Sequence, residues 1–143
     1  MSVDWMAMDE PLKPVPEFFV EAPDKKYGWT EIARQVHFLS MMRMAAPKVI
    51  VFAIPNAGKR NPAQARKEGI MAGIGDISAQ WQGGEAWIEF KGYRARVAGK
   101  LSDAQIDWNN AMHRIGKNVA CFYSPDKAIE WLRSLGAPIR RME

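Results

Sequence analysis

The segment GIGDISAQWQGGEAWIEFKG, residues 73–92, holds the side chains best suited to chemistry: Asp76, then Glu89 and Lys91 beyond a Gly-Gly pair. Side chains alternate between faces along a strand. Over 85–91 this puts Ala86, Ile88 and Phe90 on an apolar face and Glu85, Trp87, Glu89 and Lys91 on the other. Over 75–81 it separates Ile77, Ala79 and Trp81 from Asp76, Ser78 and Gln80. A hairpin folded on Gly83-Gly84 pairs Gln82 with Glu85, Ser78 with Glu89, and Asp76 with Lys91. Asp76, Ser78, Glu89 and Lys91 then share one face. Opposed Cβ atoms lie about 4.5–5.5 Å apart and diagonal ones about 7–8 Å, so Asp76 and Glu89 reach one small ion, with Lys91 beside it. Close carboxylates repel each other unless a divalent cation sits between them. Oxygen donors with retained waters are what Mg²⁺ prefers, and such a metal polarises a phosphate and acidifies a bound water. A neighbouring ammonium orients that water or offsets the charge that builds on the phosphate. A surface hairpin with a cross-strand ion pair uses the same residues.

The flanking sequence supplies the frame. Thr30 is a helix cap before 30–44, where Ile32, Val36 and Leu39 recur at helical spacing and Pro47 follows. KVIVFAI (48–54) reads as a central strand, PNAGKRN (55–61) as a loop, and Pro62 opens a short helix over 62–68. After the hairpin come a basic loop (92–100) and a helix over 103–115. There Ser102 and Gln105 have capping-box spacing and Ala104, Trp108, Ala111 and Ile115 make an apolar stripe. NVACFY (118–123) is a fourth strand, and 124–136 a last helix with Ser124 as cap and Pro125 at its first position. Residues 1–28, with Pro11, Pro14, Pro16 and Pro23, read as an irregular leader from which Phe18, Phe19 and Val20 could still pack onto the body. The chain is thus a single α/β domain over 29–143 behind a proline-rich segment over 1–28.

Composition narrows the class. The 143 residues are 48% hydrophobic, enough for a core. One cysteine, Cys121, excludes an internal disulfide framework; with only His37 and His113 it also makes no zinc site. No apolar run approaches a membrane span and the first residues lack a signal-peptide pattern, so the expected location is the cytoplasm. Residues 1–31 hold seven acids and three bases, and 32–143 nine acids and seventeen bases, net −4 and +8. A basic body points to nucleic acid, or to a solvated basic face. Lys59, Arg60, Arg66 and Lys67 fall in a stretch without acids, as do Lys91, Arg94, Arg96 and Lys100. Because both runs flank the carboxylates, contacts to phosphates suit them better than simple solvation.

GD at 75–76, EFK at 89–91 after a hairpin, and LSDAQ at 101–105 opening a helix resemble the PD-(D/E)xK nuclease superfamily. More narrowly they resemble the VRR-NUC domain in its stand-alone phage and bacterial type, over roughly residues 29–135. The resemblance implies a restriction-endonuclease-like α-β-β-β-α-β core with a mixed four-stranded sheet flanked by helices. It implies metal binding by Asp76, Glu89, the backbone carbonyl of Phe90 and Glu31, catalytic roles for these acids with Lys91 and Gln105, and Mg²⁺ or Mn²⁺ as cofactor. PNAGKR at 55–60 resembles the loop after the family's first strand. The implied activity is metal-dependent endonucleolytic cleavage of DNA, selective for branched structures such as four-way junctions, by a homodimer in a bacterial or phage-infected cell during replication, recombination or repair. The sequence reads GIGD where the family has a proline before the aspartate, and Phe90 stands where an aliphatic residue is commoner. A DNA-binding module that keeps this fold without turnover is the alternative. Gln105 serves equally as half of a capping box, and Glu31 as an acid suited to a helix start.

Overall fold

The computed structural model describes residues 12–55, 62–69 and 71–141. Its centre is a five-stranded mixed sheet. In chain order the strands are β1 (Phe19–Val20), β2 (Ile50–Ala53), β3 (Ile77–Trp81), β4 (Gly84–Phe90) and, beyond a small separate hairpin of β5 (Tyr93–Arg94) and β6 (Val97–Ala98), β7 (Val119–Phe122). The spatial order is β1-β7-β4-β3-β2. β7 runs parallel to both β1 and β4, and β4, β3 and β2 form an antiparallel meander. VACF, buried along its whole length, suits the interior position of β7.

The helices are α1 (Glu31–Ala45), the short α2 (Pro62–Lys67), α3 (Asp103–Arg114) and α4 (Pro125–Ser134). α1 and α4 cover one face of the sheet, where Phe38, Met42, Ile129 and Leu132 pack on Ile77, Ala79, Ile88, Phe90 and Phe122. Each such buried side chain contributes about 1.5–3 kcal/mol. α3 covers the other face, with Trp108 against Cys121, Val119 and Phe18 and edge-on to Trp87 at 5.6 Å. The caps form where the sequence places them. Thr30 Oγ1 accepts from Ala33 N, Ser102 and Gln105 close a capping box, and Ser124 Oγ accepts from Lys127 N.

Six expectations change. KVIVFAI, read as a central strand, forms β2 at the edge of the sheet and is mostly exposed. Of the stripe read on α3 only Trp108 is buried; it is joined by Ile106, Asn109 and Asn110, while Ala104, Ala111 and Ile115 are exposed. The main sheet has five strands, not four, because Phe19–Val20 adds to the edge of β7. An edge strand tolerates flanking prolines, since its outer N–H groups need no partner. The hairpin register is shifted by two: the turn is Gln82-Gly83, with Gly83 at φ +90, and Trp81 pairs with Gly84. Gly84 lies under the Trp81 ring, where a Cβ would fall 2.5 Å from the ring carbons. The buried stripe of α1 is Arg34, Phe38, Met42 and Ala45, whereas Ile32 and Val36 face solvent. Arg34 decides this, because its guanidinium is held by carbonyls that lie inside. Finally, the basic loop over 92–100 contains the β5–β6 hairpin.

Candidate metal centre

Three elements deliver the site. Asp76 stands just before β3, its carbonyl accepting from Ile54 N at 2.8 Å at the exit of β2. Glu89 is the penultimate residue of β4, and Glu31 is the first residue of α1. The two-residue shift of register leaves every side chain on its expected face but moves Asp76 from opposite Lys91 to opposite Glu89. The pair is clamped through the backbone. Asp76 N donates to Glu89 Oε2 at 3.1 Å, and Phe90 N donates to Asp76 Oδ2 at 3.0 Å.

Two glycines permit the approach of the helices. A Cβ on Gly92 would lie 2.4 Å from Glu31 N, so only glycine lets the start of α1 rest on the chain leaving β4. Gly73, at φ +83, lies against the first turn of α3, where a Cβ would meet Ala104 O at 2.1 Å. That turn carries Gln105, which holds two roles at once. Its Oε1 accepts from Ser102 N at 2.9 Å in the capping box, and its Nε2 donates to Glu89 Oε1 at 2.6 Å. The capping box and the contact to the site are therefore one arrangement, not alternatives.

Glu31, Asp76 and Glu89 each place a carboxylate oxygen within 4.8 Å of the others. In an octahedral shell with bonds of about 2.1 Å, neighbouring oxygens stand about 3.0 Å apart and opposite ones about 4.2 Å. Three hard oxygen donors within that span could hold a divalent ion. Lys91 Nζ lies 3.5 Å from Glu89 Oε1 and 3.9 Å from Glu31 Oε2. Exposure grades across the cluster: the Glu89 side chain is 0% exposed, Lys91 10% and Glu31 40%, so Glu31 marks the open side.

The electrostatics fit a site short of positive charge. Burial, then the neighbouring Asp76, pushes the Glu89 carboxyl up to about 9, against a smaller opposing pull from Lys91. Burial raises Glu31 to about 7, with Lys91 opposing and Asp76 adding. Asp76 is also raised, chiefly by burial, although the Phe90 N–H and Lys91 pull the other way. One ammonium does not balance three carboxyls, of which Glu89 is buried and Asp76 and Glu31 partly so. Cys121, paired with Glu89 across β4 and β7, is pushed up to about 12 by burial and then by Glu89, so it remains a neutral thiol.

Glu31, Asp76, Glu89, Lys91 and Gln105 are thus brought together. Phe90 is present through its N–H on Asp76. Lys67, Arg94, Arg96 and Lys100 are exposed. Lys59, Arg60 and the Arg66 side chain lie outside the described residues, as does most of the 55–61 loop. His37 and His113 are exposed, and His37 stacks edge-on to Trp29 at 5.7 Å. Sequence reasoning missed Gly73 and Gly92, although both stood at the ends of the segment that carries the acids. A glycine directly after the lysine was the available signal. Among the described residues no helix is long and apolar enough to cross a membrane. Comparison with protein-family models, with curated proteins and with solved structures finds no match, so the functional reading rests on the geometry of this site.

Proposed function

We propose that the protein is a divalent-metal-dependent endodeoxyribonuclease of the PD-(D/E)xK type, with the VRR-NUC domain as its nearest pattern. One observation carries the reading: Glu31, Asp76 and Glu89 converge from separate elements with Lys91 Nζ against two of them. The element order α1-β2-β3-β4-α3-β7 is also the order expected of that superfamily's core.

Mg²⁺ or Mn²⁺ would be held by Glu31, Asp76, Glu89 and the Phe90 carbonyl, and when bound would supply Lewis acidity toward the phosphate and acidify a water. Asp76 Oδ2 is occupied by the Phe90 N–H, which leaves Oδ1 as the donor atom. Gln105 fixes the rotamer of Glu89 from the other side. Lys91, anchored by its own N–H on Phe122 O at 3.0 Å, orients the attacking water and offsets the charge growing on the phosphoryl oxygens. The water oxygen forms a bond to phosphorus as its proton passes to solvent, and the P–O3′ bond breaks, leaving a 5′-phosphate and a 3′-oxygen that takes a proton from solvent to become the hydroxyl. Lys67, Arg94, Arg96 and Lys100 supply exposed cations for the flanking phosphates, with Lys59, Arg60 and Arg66 in the same role from sequence. A homodimer would place two such sites for paired cuts in branched DNA.

The test is cleavage of a labelled four-way junction, a flap, a single strand and a linear duplex, with Mg²⁺, Mn²⁺ or EDTA, beside Lys91→Ala. Metal-dependent cuts that vanish in EDTA and in the variant are expected. Tight binding without cuts under either metal would overturn the nuclease and leave a DNA-binding module.

A further inference from the structure

The chain leaves Lys91 straight into the β5–β6 hairpin, whose base is fixed and whose tip is bare. At the base Tyr93 N donates to Trp29 O at 2.9 Å, Tyr93 Oη to Asp24 O at 2.6 Å, and Gly99 N to Gly92 O at 2.8 Å. Tyr123 Oη donates to Gly99 O as well. Tyr93 and Ala98 form the inner pair, with Tyr93 buried. Arg94 and Val97 form the outer pair, and both are exposed. Among the described residues neither the Arg94 nor the Arg96 side chain has a hydrogen-bond or ion-pair partner.

The turn itself is unusual in composition. Ala95 and Arg96 stand at φ +51 and +66. Positive φ at both central residues is the tight hairpin geometry that ordinarily selects Asn-Gly. An arginine therefore stands in a left-handed position that glycine would occupy with less strain. Strain kept at an exposed tip beside a catalytic cluster asks for a function of that side chain.

We propose that the hairpin is a minor-groove probe, which inserts Arg96 into the minor groove of a B-form duplex beside the scissile phosphate and sets Arg94 on the flanking backbone. The inference rests on the nuclease reading and deepens it: the substrate must be duplex next to the cut. An unpaired strand would need an exposed aromatic platform, and the one aromatic residue of 92–100, Tyr93, is buried under the hairpin. The ribbon has two residues per strand, a reach of about 7 Å. A ribbon that short presents little more than the side chains at its tip, and a single guanidinium fills a minor groove about 6 Å wide but not a major groove about 12 Å wide. A narrow A·T-rich minor groove concentrates negative potential on such a group.

The test uses Arg96→Gly, which removes the guanidinium but eases the turn, so misfolding does not explain a loss. Its thermal midpoint should equal or exceed that of the parent. Cleavage of an A·T-rich duplex substrate should fall about tenfold or more, with partial recovery in Arg96→Lys, and the salt slope of binding should drop by about one. Netropsin, which fills the A·T minor groove, should inhibit the parent and leave the residual activity of Arg96→Gly unchanged. Equal cleavage and salt slope in parent and variant, with no effect of netropsin, would overturn the probe while leaving the nuclease intact. If the parent cuts nothing, the nuclease reading fails, and the same salt slopes and netropsin competition, read as binding anisotropy in EDTA, still decide the hairpin.

Discussion

Two of the places where the described residues bury charge treat it in opposite ways. Arg34 is 0% exposed, yet every arm of its guanidinium is used. Nε donates to Trp29 O at 3.1 Å, Nη1 to Asp24 Oδ2 at 2.7 Å and Tyr123 O at 2.9 Å, and Nη2 to Lys26 O at 2.6 Å. The Tyr93 and Tyr123 rings lie beside it. The Glu31–Asp76–Glu89 cluster has a single ammonium beside it: Glu89 is enclosed, Asp76 half-buried and Glu31 open on one side, and the Glu31 and Glu89 carboxyls retain protons well above their ordinary range. A charge buried for architecture is satisfied from within the chain. The acidic cluster is left short of positive charge, which is the deficit that the proposed metal ion would fill.

That contrast gives experiments in order of size. Arg34→Met should lower stability by about 3–5 kcal/mol, since it removes the donors to Asp24 Oδ2 and the Tyr123 carbonyl and one of two donors to each of the Lys26 and Trp29 carbonyls; urea unfolding reads it. An unchanged midpoint would erase the distinction between the two sites. Lys91→Ala should lower metal-dependent cleavage about 10²–10³-fold, the scale of losing one donor to transition-state charge, while the urea midpoint hardly moves. Asp76→Asn should do what no substitution at Arg34 can: abolish metal binding by calorimetry and raise metal-free stability at pH 8 by about 0.5–2 kcal/mol. The Asn Oδ1 still accepts from Phe90 N, but one of the repelling charges is gone.

The smallest effect is a slope with pH. Glu31 and Glu89 ionise near 4.5 in the unfolded chain and near about 7 and about 9 in the fold. Between those values the native state holds more protons than the unfolded state, so stability falls as pH rises from 4.5 through 9 and then levels. Metal-free unfolding across that range should show the decline, and saturating Mg²⁺ or Mn²⁺ should flatten it by favouring the ionised native form. A stability that instead rises with pH would mean the acids are already balanced.

Much of this was legible beforehand because periodicity survives small errors. Alternation along 75–91 assigned each side chain to its face, and a register slip of two kept those faces. What the slip changed was the neighbour, from Asp76–Lys91 to Asp76–Glu89, and a choice between adjacent glycine turns lies below the resolution of pattern. Ser102 and Gln105 announced their helix through local chemistry, which sequence records directly. β1 was illegible because two residues among prolines acquire strand character only from β7, about a hundred positions away. α1 misled in another way. Its apolar residues Ile32 and Val36 lie outward because a fully bonded arginine claims the inner face, a pairing with Tyr123 that no local window contains.

The position of β7 has a consequence for synthesis. It lies between β1 and β4, parallel to both, and comes after every element that carries an acid of the cluster. Until residues 119–122 emerge from the ribosome, β4 lacks its neighbour on that side, Lys91 N lacks the Phe122 carbonyl, and Arg34 lacks that of Tyr123. Contacts between such distant positions form slowly and together. A nascent chain therefore carries all the acids of the cluster without the frame that converges them, and the cluster assembles only once β7 has emerged and paired with β4.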